Sequence, residues 1–352
     1  MSDPCSGQRA HTDAVVMLVQ QKHSSYDAKH STEASSVVDN LRAYYSAVAA
    51  ADVLLWHEGN YSLPASQVDG SDSVNVRSCN LQCTAGWGPP RGMSVPPVLR
   101  MWGVPFSLGY RNMIRWYSVT IWTTLFELGY RHVMRIDDDS VFLSRVPYNL
   151  FDRLRTRGAV YGYRQTSSEC GSAAFKPFVT QAMNLSIPYC RVEEEIQGFY
   201  NNFFISDISW WLTPAVQRFV RAFDASGLIY TQRDNDLVFQ SAVVRLLSTR
   251  SATLKFADWG YAHITVNSGR WLYGGASVGS NEPAEVEAVD RRFQAWARNR
   301  YNISVRTHQQ RCGSETLLVS SKHRGFWHVA PSCPYFDRNE SGTECNTRLQ
   351  RC

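Results

Sequence analysis

The sequence predicts an α/β domain built on a parallel sheet, and three stretches carry that prediction. Residues 14–19 are a continuous apolar run, which is typical of a strand that is buried on both faces. Residues 52–58 form a second predicted strand, and residues 37–51 between them place apolar side chains at helical spacing. Strand, helix and strand together form a βαβ unit, which begins a nucleotide-binding layout.

Composition fits one large globular domain and restricts its partners. The chain has 352 residues, of which 44% are hydrophobic and 19% charged. The net charge of +5 is spread along the chain, so no basic patch for nucleic acid is expected, whereas an anionic nucleotide sugar is compatible with it. Abundant Trp and Tyr (11 and 17) fit either a sugar-binding cleft or a packed core. No apolar stretch is long enough to predict a membrane span.

The first half of the chain continues the α/β pattern after one interruption. Residues 59–108 are rich in Gly, Pro and Ser and are predicted to be a long irregular insertion, which Cys79 and Cys83 could staple. Residues 109–128 then predict a long helix with one apolar face, ended by Gly129. Three shorter elements follow in the prediction, a strand over 130–134, a helix over 147–156 and a strand over 159–163.

The second half predicts three more helices and a loop-rich end. One helix starts at Thr213-Pro214 and ends at Gly227, one follows the cap residues 234–236, and one covers 283–298. Four cysteines lie in the last 41 residues. The domain organisation predicted is therefore an N-terminal tail (1–12), one domain (13–304) and a Cys-rich C-terminal extension (305–352).

Three adjacent carboxylates stand where the strand over 130–134 should end. Alternate side chains of a strand point the same way, so we expect Asp137 and Asp139 to converge while Asp138 faces elsewhere. Such a pair at a strand end can hold Mn²⁺ or Mg²⁺ against a nucleoside diphosphate. The alternative is an exposed acidic turn with no ligand.

Other candidate residues depend on their neighbours. His263 could complete a metal site begun by the carboxylates, or could be an ordinary buried histidine. Arg111 and Arg115 lie one helical turn apart, so both could face one anion or both could be solvated. Asp234 and Asp236 fit helix capping as well as chemistry.

The cysteines and glycosylation triplets bear on the compartment. Nine cysteines leave at least one unpaired, and four Asn-x-Ser triplets are present, at Asn60, Asn184, Asn302 and Asn339. These features favour the secretory pathway, specifically the Golgi lumen, if an N-terminal membrane anchor precedes this chain. Without such an anchor the expectation is a cytoplasmic protein with free thiols.

Four segments resemble the fungal α-1,2-mannosyltransferases, the glycolipid 2-α-mannosyltransferase family known as glycosyltransferase family 15. Gly109-Tyr110-Arg111-Asn112-Met113-Ile114-Arg115 resembles the family's Gly-Tyr-Arg-Asn-Met-x-Arg, and the segments at 130–142, 202–205 and 258–263 follow in the family's order and spacing. The resemblance implies a GT-A-type fold with a mixed central sheet, GDP-mannose as donor, Mn²⁺, retention of configuration and a mannosylated glycan acceptor. It also implies that Asp139 and His263 bind the metal, with Asp137 beside them. We therefore expect a metal site of Asp137, Asp139 and His263, and a donor site of Asp137, Tyr110, Arg111 and Arg115.

Two positions depart from the family pattern. Phe204 stands where the family has the glutamate of Asn-Phe-Glu-Ile, and Gln240 stands where it has a histidine. A phenylalanine cannot form a covalent glycosyl intermediate, so we expect front-face attack, or Asp207 or Asp236 in the role of the missing carboxylate. The alternatives are a non-catalytic glycan or nucleotide-sugar binder on the same fold, and a transferase that uses a UDP-sugar.

Overall fold

The computed structural model describes residues 3–19, 33–59, 61, 74–101, 104–169, 171–185, 196–267, 270–301, 304–305, 307–312 and 314–320. The central feature is a seven-stranded mixed sheet in the order β12-β8-β11-β6-β1-β2-β3. Its strands, in chain order, are β1 (Asp13–Leu18), β2 (Asp52–His57), β3 (Asn75–Asn80), β6 (His132–Ile136), β8 (Tyr161–Tyr163), β11 (Phe203–Asp207) and β12 (Thr253–Lys255). β11 runs antiparallel to both of its neighbours, while β1, β2, β3 and β6 are parallel.

A second sheet of five antiparallel strands stands beside the first. Its order is β15-β16-β14-β13-β7. The strands are β7 (Ser140–Phe142), β13 (Tyr261–Asn267), β14 (Arg270–Ser277), β15 (Thr307–Cys312) and β16 (Glu315–Ser320). Two hairpins complete the strands, one from β4 (Val98–Met101) and β5 (Val104–Ser107), the other from β9 (Thr166–Glu169) and β10 (Ile196–Phe199).

Helices cover both faces of the seven-stranded sheet. They are α1 (Glu33–Tyr44), α2 (Leu108–Arg115), α3 (Ile121–Glu127), α4 (Leu150–Thr156), α5 (Phe175–Ala182), α6 (Ile208–Trp211), α7 (Pro214–Ser226), α8 (Leu228–Gln232), α9 (Asp236–Leu247) and α10 (Pro283–Tyr301). A π-helical turn, Trp116–Thr120, joins α2 to α3, and short 3₁₀ turns span Ser46–Ala50, Leu81–Cys83 and Arg250–Ala252. In the part of the chain described, no helix has both the length and the apolar character to span a bilayer.

Alternation along the central strands divides the core into two layers. Val15 and Met17 of β1 pack with α1 and α4 on one face of the sheet, while Ala14 and Val16 pack on the other face with α2, α3 and α5 to α9. A strand covered on both faces must be apolar throughout, which explains why β1 and β2 could be recognised as continuous apolar runs.

The predicted irregular insertion contains a strand of the main sheet. β3 pairs in parallel with β2 over its whole length, from Asp52↔Asn75 to His57↔Asn80. The prediction of irregular structure over 59–108 was wrong here because β3 is an edge strand. An edge strand has one partner and half-buried side chains, so its sequence, Asn-Val-Arg-Ser-Cys-Asn, lacks an apolar run.

The first described residues are not a loose tail. Cys5 forms a disulfide with Cys79 of β3, so the predicted pairing of Cys79 with Cys83 is wrong, and Cys83 is exposed with a free thiol. Arg77 donates hydrogen bonds to Asp3 and to two carbonyls of the same segment. The buried Asp52 accepts from the backbone amides of residues 10 and 11. The segment therefore packs as part of the domain, beside β3.

The C-terminal hairpin also belongs to the domain rather than to an extension that starts at 305. β16 pairs with β14, and its Glu315 is 2% exposed at the side chain. One oxygen of Glu315 accepts from Arg164, which is fully buried, at 2.6 Å, and the other accepts from Lys255. Arg164 also donates to the carbonyl of Trp259 at 3.0 Å. These three charged side chains link β16 to β12 and to the residue that follows β8.

Substituting Glu315→Gln is expected to lower the free energy of unfolding by about 3–5 kcal/mol, because Arg164 would stay buried without its counter-charge. Urea unfolding at neutral pH measures the loss. The matched control is Glu287→Gln, which breaks an ion pair with Arg291 whose side chains are 65–70% exposed, and which should cost only about 0.3–0.5 kcal/mol. Equal losses in the two variants would contradict the structural role of Glu315.

Candidate functional site

The three adjacent carboxylates form the turn by which the chain leaves the large sheet for the small one. β6 ends at Ile136 and β7 begins at Ser140, whose amide donates to the carbonyl of Asp137 at 3.1 Å. Asp137 and Asp139 therefore converge because a β-turn folds the chain back, not because they alternate along a strand as predicted. Such a turn directs both carboxylates to the junction of the two sheets.

His263 reaches the same junction through strand pairing. β13 lies antiparallel to β7 with His263 opposite Ser140, which follows Asp139 directly. His263 Nε2 lies 2.9 Å from Asp139 Oδ1, and one ligand atom each of Asp137, Asp139 and His263 lies within 4.8 Å of the others. Residues far apart in sequence are thus held within the span of one cation by the register of β7 and β13.

The donor set of these three residues fits a divalent cation. Two carboxylate oxygens and an imidazole nitrogen suit Mn²⁺, which accepts both hard oxygen and nitrogen ligands. Burial alone would lower the pKa of His263, but the charge of Asp139 and the hydrogen bond to it raise that pKa above its ordinary value. Burial raises the pKa of Asp137 despite the opposing effect of Arg135. Both shifts reflect negative charge concentrated in a poorly hydrated place.

Arg135, which sequence reasoning left aside, lies beneath the carboxylates. Its Nε donates to Asp137 at 2.7 Å, and its Nη1 donates to Asp236 at 2.5 Å. Its guanidinium carbon stands 3.5 Å from the centre of the Tyr117 ring, a close cation–π contact. A charged residue inside an otherwise apolar strand was the available sequence signal, because a buried charge requires a partner.

The helix that carries Tyr117 departs from α geometry where it meets Arg135. In the π-helical turn Trp116–Thr120, the carbonyl of Tyr117 accepts a hydrogen bond from Gln240 Nε2 at 2.9 Å. Single π-turns inside α-helices occur often at functional sites. The turn interrupts the long helix predicted over 109–128, and here it presents the Tyr117 ring to Arg135.

The two departures from the resembled family meet at one tyrosine. Phe204 stacks on Tyr161 with ring centroids 5.5 Å apart, and the Tyr161 hydroxyl donates to Gln240 Oε1 at 3.0 Å. Phe204 also packs against Trp122 and is fully buried. Phe204 and Gln240, together with Tyr161 between them, therefore form a filled, uncharged surface on this face of β11.

Asp236 lies at the site, whereas Asp207 does not. Asp236 is the first residue of α9, is 5% exposed and shares Arg135 with Asp137. Asp207 pairs with His132 at the far end of β6, four residues from the pair Phe203↔Ile136. At about 3.4 Å per residue it is roughly 14 Å from the carboxylate turn. Its carboxylate caps α6 by accepting from Ser209, so the structure does not bring Asp207 to the carboxylate turn.

Arg111 and Arg115 make structural contacts in this conformation. Arg111 has no exposed surface and donates to the carbonyls of Ser107, Tyr230 and Pro96. Arg115 forms a two-point ion pair with Asp224 at 2.6 and 2.8 Å. These guanidinium groups would have to break such bonds to face a diphosphate, so their role at the donor diphosphate or sugar stays a prediction.

Tyr110 contacts neither of these two arginines in the hydrogen bond of its hydroxyl, which is made with Arg233. The Tyr110 hydroxyl accepts from Arg233 Nη2 at 2.8 Å, and the Arg233 guanidinium lies over the rings of Phe106 and Tyr110. Arg233 has a φ of 55°, in the left-handed region that non-glycine residues seldom adopt. Three residues later the chain reaches Asp236, so this unusual backbone leads directly into the site.

Asp234, one of the two capping candidates, has a structural role. Its side chain is almost fully buried and accepts from the amide and the hydroxyl of Ser172. The cap of α9 is instead Asn235, whose side chain accepts from Val238. Asp138, the middle carboxylate of the turn, is held through its carbonyl by Arg300.

Comparisons with known proteins agree with this architecture. No protein-family model matches the chain. It is similar to the glycolipid 2-alpha-mannosyltransferase of Saccharomyces cerevisiae, with 20% identity over 177 residues, which span 45% of this chain and 39% of that protein. The match thus covers well under half of the relative's length.

Two solved structures share the fold. The mannosyltransferase Ktr4p of S. cerevisiae in complex with GDP matches 74% of this chain and 75% of its own, with a TM-score of 0.56 and 15% identity. Core-mannan synthase A of Aspergillus fumigatus in its Mn/GDP form matches 82% and 85%, with a TM-score of 0.59 and 14% identity. The resemblance to fungal mannosyltransferases and the GT-A-type α/β fold with a mixed sheet are confirmed.

Proposed function

We propose that this chain is a retaining, metal-dependent glycosyltransferase that transfers mannose from GDP-mannose to a mannosylated glycan and forms an α-1,2 linkage. The observation that carries the proposal is the cluster of Asp137, Asp139 and His263 at the junction of the two sheets. The fold supports it, since the two similar structures are a mannosyltransferase in complex with GDP and a core-mannan synthase in its Mn/GDP form.

In this proposal the cluster residues hold the cation, and their neighbours set its environment. When bound, the cation stabilises negative charge on the departing diphosphate. Asp137 and Asp139 supply oxygen ligands and His263 supplies Nε2. Arg135 offsets part of the carboxylate charge through Asp137 and Asp236, which lets an anionic nucleotide approach.

On the sugar side, Phe204 cannot act as a nucleophile. Its ring is buried against Trp122 and Tyr161, so no carboxylate faces the sugar from that position. We propose front-face attack, in which a leaving phosphate oxygen accepts the proton of the acceptor hydroxyl. Asp236 is the carboxylate that would stabilise positive charge on the sugar, since it stands at the N-terminus of α9 and shares Arg135 with Asp137.

Thermal shift measurements test the nucleotide and the metal together. GDP with Mn²⁺ is expected to stabilise the protein by about 2.7 kcal/mol at a hundredfold excess over Kd. For a chain of this size that corresponds to a rise in Tm of roughly 3–4 °C. GDP without a divalent cation, and UDP with Mn²⁺, should give clearly smaller shifts. A larger shift with UDP would favour a UDP-sugar as donor, and equal shifts with and without Mn²⁺ would contradict the metal.

A second candidate function is a non-catalytic binder of glycans or nucleotide sugars. Phe204 favours it, because the family's glutamate is missing there. Incubation with GDP-mannose, Mn²⁺ and simple mannosides, followed by mass spectrometry, separates the two functions. Transfer or hydrolysis excludes the binder, and tight nucleotide binding without any turnover excludes the transferase.

We also propose that the protein works in the secretory pathway, in the Golgi lumen. The buried Cys5–Cys79 disulfide supports this, since disulfides persist in oxidising compartments.

A further inference from the structure

His263 is held from both sides of its ring. On one side Nε2 faces Asp139 Oδ1 at 2.9 Å, and on the other Nδ1 lies 2.8 Å from the hydroxyl oxygen of Tyr200. The two rings meet edge to face, with centroids 5.3 Å apart and planes at 87°. The side chain of His263 is 8% exposed, so water has little access to replace either contact.

Tyr200 stands on a well-fixed piece of backbone. It follows β10 directly, and its amide donates to the carbonyl of Gln165 at 2.9 Å. Gln165 is itself held by Ser277 of β14, at 2.7 Å between side chains. The preceding amide, that of Phe199, donates to Ser241 of α9 at 2.9 Å. The backbone of Tyr200 is thus fixed by contacts that lead to β14 and to α9, independently of His263.

We propose that Tyr200 is a positioning residue that orients His263 and selects the tautomer able to bind the cation. The inference rests on the proposed metal-dependent function and extends it to a residue outside the three ligands. A neutral imidazole carries one proton, and it binds a cation through the nitrogen that lacks it. With Nδ1–H donating to Tyr200 Oη, a cation bound by Nε2 would take the place of the hydrogen that lies between Nε2 and Asp139 in the metal-free protein.

The opposite arrangement would work against the cation. If Nδ1 accepted a hydrogen bond from the tyrosine hydroxyl, the neutral ring would carry its hydrogen on Nε2 and point it at the place between the carboxylates. An oxygen that accepts from the outer nitrogen is the usual partner of a metal-bound histidine, and loss of such partners commonly weakens metal binding about 10–100-fold. The chain places Tyr200 in that position and keeps its ring packed on the imidazole.

The test is Tyr200→Phe, which removes the hydroxyl and keeps the ring. We expect the Kd for Mn²⁺, measured without nucleotide by electron paramagnetic resonance, to rise about 10–100-fold. The Tm without metal should stay close to that of the wild type. The matched control is Tyr148→Phe, which removes a tyrosine hydroxyl that donates to Asp258, outside the cluster. Its Kd for Mn²⁺ should not change.

Two further variants separate this inference from the function beneath it. Asp139→Ala and His263→Ala should both lose Mn²⁺ binding in the same assay. If they bind Mn²⁺ like the wild type, the metal site itself is wrong. If they lose binding while Tyr200→Phe keeps the wild-type Kd, the metal site stands and the role of Tyr200 is overturned. Nitrogen-15 and proton shifts of the His263 ring with Zn²⁺ bound give a second readout: the Nδ1–H of the wild type should show the shifts of a hydrogen-bonded group, and Tyr200→Phe should lose them.

Discussion

Asp139→Ala should abolish metal-dependent transfer. Asp139 Oδ1 faces His263 Nε2 at 2.9 Å, and both atoms belong to the cluster that fits one cation. A cation that stabilises a leaving diphosphate contributes several kcal/mol. Since each 1.36 kcal/mol is tenfold in rate, turnover with GDP-mannose should fall roughly 10³-fold or more. Mn²⁺-dependent binding of GDP should disappear in the same variant.

The control for this loss lies next to it in the sequence. Asp138→Ala removes the same charge from the same turn, but the turn directs Asp137 and Asp139, not Asp138, to His263. It should reduce turnover by no more than a few-fold, through the weaker local field. Similar losses in both variants would point to bulk charge rather than coordination, and full turnover in Asp139→Ala would refute the metal assignment.

Patterns that depend on local order predicted the fold well. The buried strands β1 and β2 had to be apolar on both faces, and Gly129 and Gly227 had to take positive φ, 85° and 68°, after their helices. The α/β class, the helix that starts at Pro214 and the acidic strand end follow from such constraints. These rules concern neighbours in sequence, which is why sequence sufficed.

Pairings between distant segments could not be obtained in the same way. The sequence of β3 predicts a loop because its own side chains have no strand pattern. Its strand conformation depends on backbone pairing with β2. The hairpin of β15 and β16 looked like an extension because Glu315 is a surface residue by type, and only Arg164 and Lys255 make its burial possible. In both cases the structure depends on contacts with a segment that is distant in sequence.

The candidate site likewise contains residues that the local sequence predicted and residues whose roles depend on distant contacts. Its three metal candidates were proposed from sequence, with Asp137 and Asp139 only two residues apart along the chain and His263 supplied by the resembled family. Arg135 and Tyr200 were missed because their importance lies in contacts over 101 and 63 residues, to Asp236 and to His263. Helical spacing predicts that Arg111 and Arg115 face the same way. It does not predict the carbonyl and the carboxylate that they contact, those of Tyr230 and Asp224.

Arg135→Met should lower the free energy of unfolding as strongly as Glu315→Gln does. The substitution leaves Asp236 and Asp137 without the guanidinium that binds both, and it removes a cation packed 3.5 Å from the Tyr117 ring centre. Removal of one partner from a buried ion pair costs about 3–5 kcal/mol, because the remaining charge stays buried. Urea unfolding without metal measures the loss. Arg291→Met, at an exposed ion pair, should cost less than about 0.5 kcal/mol.

A double-mutant cycle assigns that loss to a partner. Asp236→Asn should cost less in the Arg135→Met background than in the wild type, with a coupling of about 0.5–3 kcal/mol. Additive losses would mean that Arg135 acts through packing on Tyr117 and not through Asp236.

Mn²⁺ should then narrow the stability gap between Arg135→Met and the wild type. Once Arg135 is gone, Asp137 has lost its counter-charge, so a cation bound by Asp137, Asp139 and His263 replaces part of what was removed. The variant should therefore gain more in Tm from Mn²⁺ than the wild type does, even though its transfer activity is low. Adding Asp139→Ala to Arg135→Met should remove that extra gain. If the gain is equal in the wild type and Arg135→Met, then Arg135 and the cation do not share Asp137, and the cation is held by Asp139 and His263 without it.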